Sequence, residues 1–374
     1  MNSPLERRTM TKYDIGFVLE QALGHITHTK NLQSHVSGDA EVNPHWALID
    51  FDSEGLAARI PIYRSNWSVR AGVRANRQLS SLTLHARLDV LFFHTQVPAI
   101  LAQRWMYRIP SVISLDATPV QYDQLGQYYR HKSGPSSVEW IKKRLNRSAY
   151  VAARHIVVWA DWTKRSLVRD YDVPDDKITV IPPGVTIADW VRPAPRQSPG
   201  GTVKILFVGG DFERKGGKLL LEAFRALMPL EAELHIVTKD PIGAEDNVFV
   251  YRDLKPNSAE LKQLYHSCDI FALPTYADCL PMVLSEAAAA ELAIVSTNIA
   301  GIPEIVQRGR TGLTISPGDT RALVEALRAL VQKPELRLEL ASQARNHVAE
   351  AYDAQTNTRR LLTLLKSEVR NQLS

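Results

Sequence analysis

The stretch Phe271-Ala-Leu-Pro-Thr-Tyr-Ala-Asp-Cys-Leu-Pro-Met-Val-Leu-Ser-Glu-Ala287 sets the frame for the whole chain. It opens on a short apolar run, breaks at Pro274, and resumes as an apolar helical pattern. Pro281 suits the first turn of that helix, where a missing N–H costs nothing. A buried strand, a loop and a helix therefore follow one another directly, with Asp278 in the loop and Glu286 eight residues further on the helix.

The same rhythm extends outward in both directions. Apolar runs occur at Ile15–Leu19, Trp46–Phe51, Val90–Phe93, Ser111–Leu115, Ile156–Trp159 and Ile178–Ile181. They recur at Lys204–Val208, Glu233–Val237, Val248–Tyr251, Asp269–Leu273, Ala293–Ser296 and Gly312–Ile315. Short Val-, Ile- and Phe-rich runs spaced by helical patterns mark parallel strands buried on both faces. The expected fold is α/β, with two Rossmann-like domains facing a central cleft. The stretch Trp190-Val-Arg-Pro-Ala-Pro-Arg-Gln-Ser-Pro-Gly-Gly201 is the one clear break in composition. It divides the chain into a domain over 1–190, a linker over 191–202 and a domain over 203–353. Leu361, Leu362, Leu364 and Leu365 among basic residues predict an amphipathic helix over 354–374 that packs back on the first domain. Open parallel sheets bind ligands beyond the carboxyl ends of their strands, which places the chemistry in the cleft.

Composition narrows the class. The 374 residues are 45% hydrophobic and 23% charged, which excludes disordered and collagen-like chains. No apolar run approaches the roughly 20 residues of a membrane span. Arg7 and Arg8 are followed by no apolar signal core. Cys268 and Cys279 fit neither a disulfide framework nor a zinc cluster, so a reducing, cytoplasmic setting is expected. Residues 1–200 hold 25 Lys and Arg against 18 Asp and Glu, while the remainder is slightly acidic. Such asymmetry suits an anionic partner. Arg64, Arg70, Arg74 and Arg77, interleaved with Trp67, Val69 and Val73, suggest a basic helix that meets an anionic membrane at its inner face, or equally a solvated helix packed on the sheet. No nucleic acid partner is expected.

Two segments carry the chemistry. Around Pro281, first-turn amides at Met282 and Val283 suit a phosphate, Glu286 suits the two hydroxyls of a ribose, and Asp278 suits sugar hydroxyls. In Phe207-Val-Gly-Gly-Asp-Phe-Glu-Arg-Lys-Gly-Gly217, Gly209 and Gly210 end a strand, and Arg214 and Lys215 precede a helix over about 217–228. Their charge can offset a diphosphate, a role otherwise given to a metal ion. Asp50-Phe-Asp52 and Asp170-Tyr-Asp172 are short enough to arise by chance and lie in the other half, so no metal and no organic cofactor is expected. Dinucleotide, P-loop and nucleophile-elbow fingerprints are missing from the sequence.

These segments, with Gly301-Ile-Pro-Glu-Ile-Val306 and Gly312, resemble the Glu-x7-Glu region of retaining glycosyltransferase family four, which has the GT-B fold. The resemblance covers the C-terminal domain and, more loosely, the N-terminal one. It implies transfer of a hexosyl group from a nucleoside-diphosphate sugar, of UDP or GDP type, to a hydroxyl of a glycan, lipid or small molecule. Glu286 then holds ribose, Asp278 contacts the donor sugar, Arg214 and Lys215 clamp the diphosphate, and the loop at Gly301 covers the donor. Retention implies a same-face displacement in which the departing phosphate helps to deprotonate the acceptor. In the N-terminal domain the resemblance places donor and acceptor near Gly24, His25 and His28, and sets Asp116 where relatives carry a histidine.

Gly210 stands where an Arg is common, and three further departures stand out: Asp rather than Glu at 278, Pro281 where a Gly often lies, and Asp116 for His. They leave open a catalytically silent nucleotide-sugar-binding protein, as well as an epimerase or hydrolase on the same fold. His94 and His155 read as structural.

Overall fold

The computed structural model describes residues 12–21, 25–50, 66–126, 128, 134–193, 201–229 and 231–373. Gly24, Asp52 and Arg64 lie outside them. The first sheet contains β1 (Tyr13–Gln21), β2 (Val42–Asp50), β3 (Val90–His94), β4 (Ser111–Leu115), β5 (His155–Val158) and β6 (Ile178–Val180). The second contains β7 (Val203–Val208), β8 (Ala232–Val237), β9 (Val248–Tyr251), β10 (Ile270–Leu273), β11 (Ala293–Thr297) and β12 (Leu313–Ile315). Both sheets are parallel throughout, in the orders β2-β1-β3-β4-β5-β6 and β12-β11-β10-β7-β8-β9. Each of the twelve apolar runs lies on a strand. Chain direction across the sheet reverses between β1 and β3 and between β7 and β10, the two places where such sheets open a crevice for ligands.

Alternation along the strands explains how the first sheet is covered. Val18, Leu91, Phe93 and Ile113 face Ala71, Ala75 and Leu79 of the helix Trp67–His85. Phe17, Leu19, Phe92 and Val112 face Leu32 of the helix His25–Val36 and Leu361, Leu362 and Leu365 of the helix Ala354–Leu373. The last helix of the chain therefore completes the first domain. Each of its buried leucines contributes roughly 2 kcal/mol, and Lys366 adds bonds to Asp39 and Glu41.

The chain crosses between domains twice at one place. Val185 N–H donates to the Tyr352 carbonyl and Ala354 N–H to the Val185 carbonyl, both at 3.0 Å. A Cβ on Gly184 would fall 2.4 Å from Ala354 N and from Tyr352 O, so only glycine allows the two passages to touch. The first passage comes earlier than the composition break suggests. Val185 and Trp190 already pack in the second core, and Trp190 meets the Tyr265 ring edge-on at 5.0 Å. The apolar bulk of Trp190 outweighs the proline-rich stretch that follows it.

Two helix bounds also differ. Pro281 is extended and serves as the N-cap of Met282–Ala289 rather than its first residue. The helix expected over 217–228 ends at Arg225, because Pro229 disfavours helical backbone at Met228.

Candidate active site

The phosphate side of the site is built where β7 stops. Gly209 lies under the Lys215 side chain, and a Cβ there would stand 2.9 Å from Lys215 Cδ. Gly216, at φ +79°, would drive a Cβ to 2.0 Å from the Pro274 carbonyl oxygen. Glycine at both positions lets the turn after β7 press on the end of β10. The two turns are then knitted together, since Tyr276 N–H and Thr275 Oγ both donate to the Arg214 carbonyl.

This contact joins the two sequence motifs. Lys215 Nζ lies 2.7 Å from Asp278 Oδ2, and Arg214 Nη1 lies 3.8 Å from the same oxygen. The Arg214 guanidinium also donates to the Ala277 carbonyl and to Asp211. All three charged side chains of the cluster are largely sheltered from solvent. Beyond Gly210 a Cβ would meet nothing within 4 Å, so the place of the family's usual arginine is open space. Arg214 brings a guanidinium to the cluster from four residues further along.

Glu286 projects from Met282–Ala289 and is 7% exposed. Burial pushes its carboxyl up to about 7. The Tyr265 hydroxyl, donating at 3.1 Å, and the charges of Lys215 and Lys262 pull it back toward the carboxylate. Lys215 is thus close enough to act on Glu286 as well as on Asp278. The first-turn amides of Met282 and Val283 have no acceptor within their own helix. Cations, first-turn amides and a carboxylate about one turn along can grip a diphosphate with a hydroxylated group at each end.

The opposing edge belongs to the first sheet. His25 and His28 sit on the first turns of the helix His25–Val36, not in a loop. His94, at the end of β3, places Nε2 at 2.9 Å from His25 Nδ1, and its ring stacks on Trp159. Burial and then His25 lower His28 to about 3, and burial with the two neighbouring rings holds His94 well below the usual histidine range. Nearby, Glu20 ends β1 as a buried carboxylate that accepts from Trp67 Nε1 at 2.7 Å and Thr95 Oγ at 2.6 Å.

Asp116 follows β4, and its carboxylate accepts from the Ala117 amide at 2.9 Å. The following helix, Pro119–Gln124, is capped by Thr118 itself with Gln121, so Asp116 is not needed as its cap. Tyr122 on that helix reaches the cleft. Its phenol is raised by burial first, then by Cys279, Asp116 and Glu20, and lowered by Arg214 of the other domain. His155 bonds Thr179 at the opposite end of the sheet.

Three further contacts span the cleft. The Glu304 carboxylate accepts from the amides of Asp161 and Trp162 at 2.8 and 2.9 Å, which makes it a cap for the first-domain helix Asp161–Tyr171. Gly301 donates to the Cys279 carbonyl, and a Cβ there would crowd Leu280 and Ala160, so this loop joins the donor segment to the opposite domain. Tyr128 and Tyr276 stack across the cleft at 5.2 Å. Sequence reasoning missed Glu20, Tyr265 and the capping role of Glu304, whereas Tyr122 lies in the stretch Gln121–Arg130 whose polar and aromatic groups suit an acceptor site or surface packing equally. Glu20 and His94 did leave a signal, as polar residues ending apolar strands beside the switch point. Among the described residues no group of three His, Cys, Asp or Glu side chains could hold a metal ion, and no helix is long and apolar enough to cross a membrane.

The family model for group 1 glycosyl transferases matches residues 202–333, and that for glycosyltransferase family 4 matches residues 37–189. The chain belongs to this glycosyltransferase family. Glycogen synthase of Mycobacterium tuberculosis is 28% identical over 318 residues, covering 77% of this chain and 70% of that protein. Sucrose-phosphate synthase from Thermosynechococcus elongatus has a similar fold at a TM-score of 0.75 and 14% identity, covering 95% of this chain and 99% of that one. Anabaena HepE, solved in complex with UDP and glucose, superposes at 0.68 with 14% identity over 95% of this chain and 100% of its own. The fold is the GT-B arrangement, and the protein is a glycosyltransferase.

Proposed function

We propose that this glycosyltransferase moves a hexosyl group from a nucleoside-diphosphate sugar of UDP or GDP type to a hydroxyl acceptor, with retention at the anomeric carbon and without a metal ion or organic cofactor. One observation carries the reading: Lys215 and Arg214 both meet Asp278, on the loop that leads directly into the helix carrying Glu286. A single donor can therefore meet all of these groups.

Glu286, as carboxylate, accepts the two ribose hydroxyls. Donor diphosphate takes over Lys215 and Arg214 from Asp278, which frees the Asp278 carboxylate to orient hydroxyls of the sugar. The amides of Met282 and Val283 support the phosphate nearest the sugar. In the transfer the anomeric C–O bond to phosphate breaks as the acceptor oxygen bonds to the same face, and the acceptor proton passes to a departing phosphate oxygen. Fixed cations stabilise the charge that grows on that phosphate. Asp116 and Tyr122 border the acceptor side, and Gly301 holds the segment Cys279–Leu280 against the first domain.

A thermal-shift panel of UDP-, GDP- and ADP-sugars on the wild type and on Glu286→Ala tests this. One donor class should raise the melting temperature of the wild type and not that of the variant. An equal shift in both would remove Glu286 from the site, and no shift with any donor would remove the reading.

A further inference from the structure

The helix Ser136–Ala152 turns an unusual surface outward. Asn146, Ala149 and Tyr150 are buried against the first domain, whereas Val138, Trp140, Ile141, Leu145 and Val151 are 42 to 61% exposed. Lys143, Arg144 and Arg147 stand among them, and the Arg144 guanidinium lies over the Trp140 ring at 5.3 Å. The helix has one acid, Glu139, which is bonded to Lys142 and to the Gly134 amide. The face continues past Val151 to Tyr107, itself 72% exposed. There it borders a groove of about 660 Å³ whose lining includes Arg108, Arg154 and Lys177.

Large side chains left in water together with an excess of cations are a poor surface for a soluble neighbour and a good one for a lipid interface. Apolar groups enter the acyl boundary, indole sits at headgroup level, and Lys and Arg meet lipid phosphates. The basic helix singled out from sequence does not offer this. Arg70 is buried and Arg74 donates to the Asp50 carbonyl.

We propose that the outer face of Ser136–Ala152, with the adjoining cationic groove, docks the protein on an anionic phospholipid bilayer. The placement suits the cleft as well. Lys142 Nζ bonds both oxygens of Asp123, at 3.0 Å each, on the helix that carries Tyr122. The docking helix is thereby tied directly to the acceptor side of the cleft, and an acceptor hydroxyl carried on a membrane lipid would be presented there. The docking itself does not depend on the donor assignment.

Flotation of the full chain with vesicles tests it. The wild type should float with vesicles of phosphatidylcholine mixed with phosphatidylglycerol, float less as salt rises, and stay behind with phosphatidylcholine alone. Lys143→Glu with Arg144→Glu should lower partition on anionic vesicles by about tenfold or more, and Ile141→Glu should do so without a change in melting temperature. If Ile141→Glu fails to fold, the charge-reversed variant, altered only at exposed positions, still decides. Failure to float, equal flotation on neutral vesicles, or undiminished binding by the charge-reversed variant would overturn the proposal. So would a concentration-dependent dimer of the wild type that Ile141→Glu dissociates and that binds no vesicles.

Discussion

The carboxyl edges of the two sheets face one cleft with opposite electrostatic habits. At the second sheet, Lys215, Arg214 and Asp278 meet as a cluster of charges that a ligand can reorganise, with Glu286 on the helix that follows. At the first, His28 and His94 are held uncharged by burial beside Trp159, and each oxygen of Glu20 already accepts a hydrogen bond. One side is made to exchange ionic partners; the other is made to keep its shape. The contrast argues that His28 offers no positive charge to a phosphate near neutrality, and that phosphate recognition rests on the second domain.

Lys215→Ala should break this division most severely. Loss of the cation that faces the leaving phosphate is expected to lower kcat/KM by about 10²- to 10³-fold, read as initial rates of nucleoside-diphosphate release with the donor found in the thermal-shift panel.

Next comes Glu286. Its carboxyl is near 7 in the folded chain and near 4.5 when unfolded, so the native state binds the extra proton and stability falls as pH rises from about 4.5 to 7. Glu286→Gln should therefore raise the melting temperature above pH 7, by about 3 kcal/mol of stability at most, and change it little at pH 4. Donor affinity in the wild type should move the other way, rising through pH 7 as the carboxylate forms. Tyr265→Phe removes a donor to that carboxylate and should push the affinity midpoint upward, measured by calorimetric titration across pH.

Glu304→Gln should cost about 1 to 2 kcal/mol, because two amide bonds to an anion become weaker ones; the melting curve of the whole chain reads it. The smallest effect on catalysis is assigned to His28. Its folded value of about 3 lies below the unfolded 6.5, so the native state resists protonation and stability is lost as pH falls below 6.5. His28→Asn should soften that acid loss and leave the pH–rate profile between 6 and 8 unchanged. A basic or acidic limb that vanishes in the variant would put His28 back among the charged groups.

How much could be read beforehand follows the same division. The inner strands were legible because burial on both faces leaves uninterrupted apolar runs, as at Ser111–Leu115 and Ile270–Leu273, and the edge strand Val248–Tyr251 was legible from its β-branched and aromatic residues although it is partly exposed. The cluster proposed to hold the donor was legible as a cluster because each half of it is local in sequence: Gly209 to Gly217 is one turn, and Asp278 to Glu286 one loop and helix. The opposing side was read in part, with His25, His28 and Asp116 taken from the resemblance alone. Glu20, His94 and Trp159 come from the ends of three strands and meet only when the sheet forms, so no spacing joins them. Tyr265 left no trace either, since its hydroxyl finds Glu286 across 21 residues of sequence. The exposed face of Ser136–Ala152 escaped because a helical pattern does not say which stripe the domain will cover.

The paired crossing at Val185 and Tyr352–Ala354 governs how the two halves can move. Backbone bonds in both directions pin the outgoing and returning passages together, and Gly184 lets them lie in contact. Sliding one domain past the other would tear both bonds, whereas swinging leaves them intact. The pair is therefore placed to act as an axle, about which rotation would open the cleft once the Glu304 amide bonds and the Tyr128–Tyr276 stack let go.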